Sequence, residues 1–346
     1  MNSSQINPIF RFELYEGEKF LCLAYPINKP SLKCDADADV KISVSGNFVL
    51  ETNPTNWLKA RLKPYLIQEN REYPLGEYVF TDVKHNTDKN GLLYWELKGM
   101  DLGRIVQQSK TEYRISYNAG EKYTNIVQEI LISLGFSKII TVQSESVLTN
   151  DRADWEMGTS WLKIINTLLE EINYQSLWFD MNGNARIEPL KSVDNGTIDH
   201  TYMQNELSEL KMPAETNSNI FKAYNVFTVM VSSPEYPEPL IATSVNDSPA
   251  SKISTVNIGR IQAPIKKLDD IADQETLQKY VDNLKFQSMR STEEVSFRTA
   301  LNQHQVRDII ALDHPIASGI YQEIEWTMSL SYDGEMKHTA QRMVIE

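Results

Sequence analysis

The stretch Tyr174-Gln-Ser-Leu-Trp-Phe-Asp-Met-Asn-Gly-Asn-Ala-Arg-Ile-Glu-Pro189 decides how the chain is read. It follows a segment that opens at Trp155-Glu-Met-Gly-Thr-Ser160. Over residues 161–173, Trp161, Ile164, Ile165, Leu168, Leu169 and Ile172 recur at helical spacing and make one apolar face. Thr159 or Ser160 is placed to cap that helix. Residues 177–179 then read as a strand, 181–184 as a turn carrying Asn182-Gly183, and 185–190 as the returning strand. A helix followed by a hairpin is a packing unit with no chemistry of its own, so this stretch speaks to architecture.

Upstream, residues 9–110 are β-rich. Residues 10–15, 20–25, 40–44, 78–83 and 92–97 are short aromatic and β-branched runs, separated by Gly, Pro, Asn and Asp clusters. The polar loop 85–91 closes a hairpin. Such spacing predicts a barrel or sandwich. Residues 111–200 differ. A strand at 113–117 precedes a helix at 121–134, where Ile126, Val127, Ile130, Leu131 and Leu134 share a face and Gly135 stops it. A strand at 139–142 leads to the second helix and the hairpin, the order of a small α+β domain. Residues 201–346 return to strands at 225–231, 240–244, 294–299, 309–312, 320–330 and 341–345. Among them lies one amphipathic helix, 273–289, with Leu277, Tyr280, Val281, Leu284 and Ser288 on a stripe and Asp273 at its cap.

Two further stretches share a pattern with the first. One runs Asn56-Trp-Leu-Lys-Ala-Arg-Leu-Lys-Pro-Tyr65, then Tyr73-Pro-Leu-Gly-Glu-Tyr-Val-Phe-Thr-Asp82 and Trp95-Glu-Leu-Lys-Gly-Met-Asp-Leu102. It is a basic stretch, a Pro-Leu-Gly before an apolar strand, and a strand ending in an aspartate. The other runs Asp308-Ile-Ile-Ala-Leu-Asp-His314, then residues 321–330, Gly334-Glu-Met336 and Gln341-Arg-Met343. In order and spacing, from about residue 55 to the end, the three resemble the phage tail hub family. This is the baseplate hub of contractile tails, with the hub proteins of Gram-positive phages and prophage-like contractile particles.

The resemblance implies a mainly β fold with an α+β part: two tail-tube-like β-barrel domains flanking a small α+β domain. On the sequence these fall at 1–110 (N-terminal barrel), 111–200 (α+β, helices about 121–134 and 160–173, hairpin 176–190) and 201–346 (second barrel, helix about 273–289). No internal sequence repeat relates the two barrels; their likeness comes with the family. It also implies a structural role in a virion tail or baseplate, assembled in the bacterial host cytoplasm. The partners implied are a homotrimer, the tail tube protein, a spike or tip protein, other baseplate proteins and the tape measure protein. Six barrels in three chains would meet a sixfold tube above and a threefold spike below. The barrels would line the lumen, and residues 111–200 would sit outside.

Composition bounds the alternatives. The chain has 346 residues, enough for two or three domains with cores of their own. Its 34 Lys+Arg against 47 Asp+Glu leave a net charge of −13. Affinity for duplex DNA comes mainly from Lys and Arg on phosphates, so DNA binding is not expected as the main function. An acidic lumen would let DNA pass without specific binding. Residues 1–8 carry no basic and apolar leader, and no run of about 18 apolar residues exists, so no signal peptide or membrane insertion is expected. Asn195-Gly-Thr197 matches a glycosylation sequon that has no meaning without secretion. Cys22 and Cys34 lack any zinc-binding context; the sequence leaves a disulfide open, while cytoplasmic assembly favours free thiols.

Candidate chemistry is sparse. Asp35-Ala-Asp-Ala-Asp39 opens like an EF-hand loop, but Val40 and Gly46 stand where glycine and the closing acid belong, so it reads as a solvated turn or edge. Asp151-Arg-Ala-Asp-Trp-Glu156 offers carboxylates beside a tryptophan, as a glycosidase subsite would; acids entering a helix explain it as well. Of His85, His200, His304, His314 and His338, no pair has the spacing of a helical zinc site. Tyr113–Tyr123 followed by a helix faintly resembles a LysM peptidoglycan-binding module. The six tryptophans lie in periodic segments and read as core or interface. No catalytic, cofactor or metal residue is assigned, and an enzyme is not expected. The alternatives are the platform of a tail-associated peptidoglycan hydrolase, for which the chain leaves no room after the last strands, and a cell-wall-binding module.

Overall fold

The computed structural model describes residues 8–68, 70–191, 197–204, 210–218, 220–231, 238–268, 271, 273–290 and 292–343. Asn195 of the sequon and the last expected strand residues, 344 and 345, lie outside them. The chain begins with β1 (Ile9–Glu16), β2 (Lys19–Pro26), β3 (Ser31–Asp35), β4 (Ile42–Leu50), β5 (Ala60–Gln68), β6 (Arg71–Pro74), β7 (Tyr78–Thr87) and β8 (Leu93–Asp101). Next come α1 (Gly103–Gln108), β9 (Ile115–Tyr117), α2 (Tyr123–Ser133), β10 (Ile139–Thr141), β11 (Arg152–Trp155), α3 (Trp161–Glu170), β12 (Trp178–Phe179) and β13 (Ala185–Ile187). The remainder is β14 (His200–Met203), β15 (Leu210–Ser218), β16 (Val226–Val231), β17 (Leu240–Val245), α4 (Thr255–Ile258), β18 (Lys266–Leu268), α5 (Gln274–Arg290), β19 (Glu293–Thr299), β20 (Ile309–His314), β21 (Ala317–Ser329) and β22 (Met336–Arg342).

Six early strands close a barrel. Pairing runs β1 to β2, β4, β8, β7, β5 and back to β1, every step antiparallel. Closure leaves no free edge on that ring. The inward positions alternate, as in β4, where Ile42, Val44 and Phe48 are buried. Phe12 and Phe48 meet edge to face inside, 5.2 Å between centroids. Asp101, at the end of β8, fastens the barrel end: its carboxylate accepts from Ile42 N at 2.7 Å and Gly103 N at 2.8 Å. The basic stretch 56–65 proves to be a 3-10 turn followed by β5, in which Ala60, Leu62, Pro64 and Leu66 face inward.

A second set of six strands runs β14, β20, β21, β22, β19, β15. Buried residues of β14 (Tyr202), β19, β20, β21 and β22 form one core, with Leu210 and Ala214 of β15 packed on it. The two end strands are not paired to each other among the described residues, but they cover the same core. The sets join where β3 pairs with both β4 and β21. Between β15 and β19, strands β16, β17 and β18 with α5 build a sheet and core of their own. The mainly β class with a barrel and an α+β part is therefore as the sequence implied.

The hairpin at 174–189 explains how the α+β part is seated. Leu177 and Phe179 point into the core that α2 and α3 share, with Ala185 and Ile187. Trp178 and Met181 point the other way, into the core of the closed barrel. One strand, with its period of two, thus fills two cores. The turn is ordered by Asp180, whose Oδ1 accepts from Asn182 N and Asn184 N, both at 2.9 Å, and by Gly183 at φ 77°. Its Met181 is bonded from both sides, the carbonyl by Gly76 N at 3.0 Å and the amide by Gln305 Oε1 at 3.1 Å. Ser160 occupies the N-cap position of α3, but its hydroxyl donates to Gln107 O at 2.8 Å, so it ties α3 to α1 rather than capping it. Asp273 does cap α5, accepting from Thr276 N at 2.6 Å.

Candidate functional site

The polar groups with the strongest mutual influence lie inside the second strand set. His338 is an inward position of β22, between buried Met336 and Ala340. Glu323 is an inward position of β21, and His304 lies in the loop before β20. All three are essentially inaccessible, at 0–1% exposure. The Glu323 carboxylate accepts from His304 Nδ1 at 2.8 Å and His338 Nδ1 at 2.5 Å. Each imidazole has a hydroxyl at its far nitrogen: Tyr202 for His304 and Thr299 for His338, both at 2.7 Å. Beside them His200 stacks on His304, 3.8 Å between centroids, and bonds Asp308 at 3.0 Å.

Burial works to raise the Glu323 carboxyl, but the charge and hydrogen bonds of the two histidines outweigh it and hold it at about 2. His304 is also opposed by burial, yet Glu323 and then Asp308 raise it. His338 is lowered: burial dominates, and the charge of His304 and His200 adds to it. The two histidines on one carboxylate thus shift in opposite directions: at His304 the charges of Glu323 and Asp308 overcome burial, whereas at His338 burial prevails over Glu323 and the neighbouring histidines add to it. His200, His304 and Asp308, and likewise His304, Glu323 and His338, have the residue types of a metal centre. In the set around Glu323 the spacing argues for protons instead. Zinc at about 2.0–2.1 Å from each donor keeps tetrahedral donors more than about 3 Å apart, whereas Glu323 and its partners sit at hydrogen-bond distance, 2.8 and 2.5 Å. The cluster is a neutralised core network that fixes the packing of β21 and β22.

No sequence spacing announces this cluster, since its members come from β14, a loop, β21 and β22. The available signal was the alternation of β22, which places His338 among inward apolar residues. His85 and His314 stand apart. His85 stacks on Trp95 at 4.3 Å, and His314 Nδ1 accepts from Ile316 N at 3.3 Å.

The acidic candidates do not converge. Asp35 Oδ1 accepts from Asp37 N and Ala38 N within its own turn, Asp37 pairs with Arg307 at 2.5 Å, and Asp39 faces Gln107 at 3.5 Å. The carbonyls of that turn hold the buried Lys41 ammonium, Ala38 O at 2.6 Å and Ala36 O at 3.0 Å. Asp151 accepts from Ala119 N at 2.8 Å, and Glu156 is exposed. Asp154 lies on β11, and its side chain is outside the described residues. The first turn of α3 contains no acid, so these carboxylates do not serve that helix. Arg152, between them, pairs instead with buried Glu171 at 2.7 Å. The 113–123 stretch forms β9, a turn and the start of α2, packed against the α3 core. Cys22 and Cys34 are both free and buried, and burial pushes the Cys34 thiol up. No helix among the described residues is long and apolar enough to cross a membrane.

No protein-family model matches the sequence, and no curated protein does. Solved structures do match the fold. A 43 kDa tail protein of prophage MuSo2 from Shewanella oneidensis superposes with a TM-score of 0.70 at 12% identity, covering 96% of this chain and 98% of that one. A tail protein from Neisseria meningitidis gives 0.69 at 8% identity, covering 96% and 97%. An Escherichia coli protein, described as a component of the type VI secretion system with structural similarity to the T4 bacteriophage tail proteins gp27 and gp5, gives 0.56 at 9% identity, covering 97% and 77%. The structure agrees with the sequence resemblance at the level of the fold: this chain has the fold of these tail proteins.

Proposed function

We propose that the chain is the structural hub of a phage tail or phage-tail-like contractile particle. Three copies form a ring that joins the sixfold tail tube to the threefold spike or tip. The observation that carries this reading is the extent of the likeness: a prophage tail protein and a second tail protein each superpose on 96% of the chain, so barrel, α+β part and second strand set all correspond at once. A single shared barrel would say much less, because small barrels serve many functions. The chain also brings two six-stranded sets, each around one core, so three chains supply six. That count meets a sixfold tube, while the chain count meets a threefold spike.

In this reading the domains lie at 1–110, 111–200 and 201–346, the middle one outside the ring. The tail tube, the spike or tip, other baseplate proteins and the tape measure protein are its partners. It works in the virion tail or baseplate by assembly rather than by catalysis. The surplus of 47 acidic over 34 basic residues suits a wall that DNA passes without binding. Electron microscopy of the chain mixed with its tube and spike proteins tests the arrangement. Six-lobed end-on rings with a threefold modulation are expected. Particles that stay single and unattached beside intact tubes would contradict it.

A further inference from the structure

A cleft of about 990 Å³ opens where several parts of the chain meet. Its walls come from the turn after β3 (Asp39), α1 (Arg104), the outward face of α3 (Lys163), the β18 and α5 unit (Lys266, Tyr280) and the loop before β20 (Arg307). Five cations line it, these four and Lys110, against two carboxylates, Asp39 and Glu170. The excess of three positive charges stands on a chain whose own balance is −13. Glu170 is already engaged by Lys266, 2.6 Å away. Arg307 pairs with Asp37. Arg104, Lys110 and Lys163 make no ion pair among the described residues; Arg104 donates to Gln107 Oε1 at 2.6 Å, and Asp39 is the one lining carboxylate not already paired, so the cleft keeps a net positive lining.

The cleft is also built rigidly. Three non-glycine residues among those described have left-handed backbones, and two of them, Asn173 (φ 58°) and Arg307 (φ 59°), line this cleft. Such conformations persist only where neighbours enforce them. Asn173 is held by Thr276 O at 3.3 Å and by Asn283 Nδ2 at 2.9 Å, and the Tyr280 hydroxyl donates to Glu170 at 2.6 Å. These bonds lock α3 to α5 across the cleft floor.

The remaining lining selects among anions. Its aliphatic side chains are Leu162, Leu190 and Leu284; most of the rest are amides and hydroxyls, with the rings of Tyr174 and Tyr280. A protein segment is usually gripped by buried apolar and aromatic anchors, which this surface offers sparingly. Ser160, Thr167, Asn166, Asn173 and Asn283 bond within the protein, so a ligand carrying many hydroxyls would meet Ser176, Gln287 and the remaining donor and acceptor capacity of the bonded groups. We propose that the cleft binds an acidic saccharide, a sugar unit bearing phosphate or carboxylate. The proposal is independent of the tail assembly.

Calorimetry on the full chain at low salt tests it with four probes: trigalacturonic acid, glucose 6-phosphate, maltotriose and hexaglutamate. Saturable binding of at least one acidic sugar is expected, at least about tenfold tighter than maltotriose or hexaglutamate and weakened by added salt. Which acidic sugar binds distinguishes carboxylate from phosphate. The double substitution Lys110→Ala and Lys163→Ala, at exposed positions, should weaken binding at least about fivefold with an unchanged circular dichroism spectrum. Four results would overturn the proposal: no saturable acidic sugar; maltotriose bound as well; hexaglutamate bound as well, meaning charge alone is read; or no effect of the double substitution, meaning the sugar binds elsewhere.

Discussion

Glu323→Ala lowers the stability of the second strand set by about 3–5 kcal/mol, the usual effect of removing one partner from a buried charged pair. The substitution leaves His304 and His338 facing a void where a carboxylate accepted from both. A chain of this length does not unfold in one step, so the effect is read by hydrogen exchange at β21 and β22. Exchange there should quicken strongly while β1 and β5 change little. The same network sets the pH response. The folded Glu323 carboxyl lies at about 2, below its ordinary value of 4.5. Its contribution is therefore complete above about 4.5 and is lost as pH falls towards 2, by roughly 3 kcal/mol. His304, raised, contributes below its ordinary value and less as pH rises through its folded value. His338, lowered, contributes above its ordinary value and less as pH falls through it. His304 thus acts on the alkaline side of the ordinary histidine value and His338 begins to lose its contribution on the acid side, while the further fall between about 4.5 and 2 is where Glu323 acts. Glu323→Gln should flatten that further fall; an unchanged fall in the variant would remove Glu323 from the account.

The second large effect is at Trp178. Its side chain is 4% exposed and belongs to the barrel core, while Leu177 and Phe179 beside it belong to the α+β core. Trp178→Ala removes the largest contribution of the hairpin to the barrel and leaves a cavity, a loss of about 3–5 kcal/mol. The consequence differs from that of an ordinary core truncation, because the residue lies between two cores. Hydrogen exchange should show the α+β part opening separately from the barrel in the variant, whereas the two open together in the parent chain. Trp57→Ala, at a partly buried position on the barrel, is the comparison: it should cost less and leave that coupling intact. A loss below about 1 kcal/mol at Trp178 would mean that the hairpin does not join the two parts.

Much of this architecture was legible in the sequence, for reasons the residues make clear. The helix read at 273–289 is Gln274–Arg290, since its apolar stripe and Asp273 cap act locally. The hairpin was legible because Asn182-Gly183 needs little context to turn. Strand β3 was missed: five residues with only Leu32 and Cys34 inward give too short an alternation. Strand β5 was read as a basic stretch, although Ala60, Leu62, Pro64 and Leu66 alternate inward, because Arg61 and Lys63 dominate its appearance. The last strand was placed too late. Its true span, Met336–Arg342, carries His338 at an inward position, which looks polar until Glu323 is seen beside it. The basic cleft was not legible, and of the histidine cluster only the inward position of His338 was. Both gather residues from several elements, and pairing register and packing decide such meetings over distances that local patterns do not reach.

Light scattering of the purified chain across a concentration series tests the hub account most directly. A mass near three times 39.7 kDa is expected, holding on dilution or appearing on addition of the tube or spike protein. A particle that keeps the mass of one chain at high concentration, with both partners present, would contradict it.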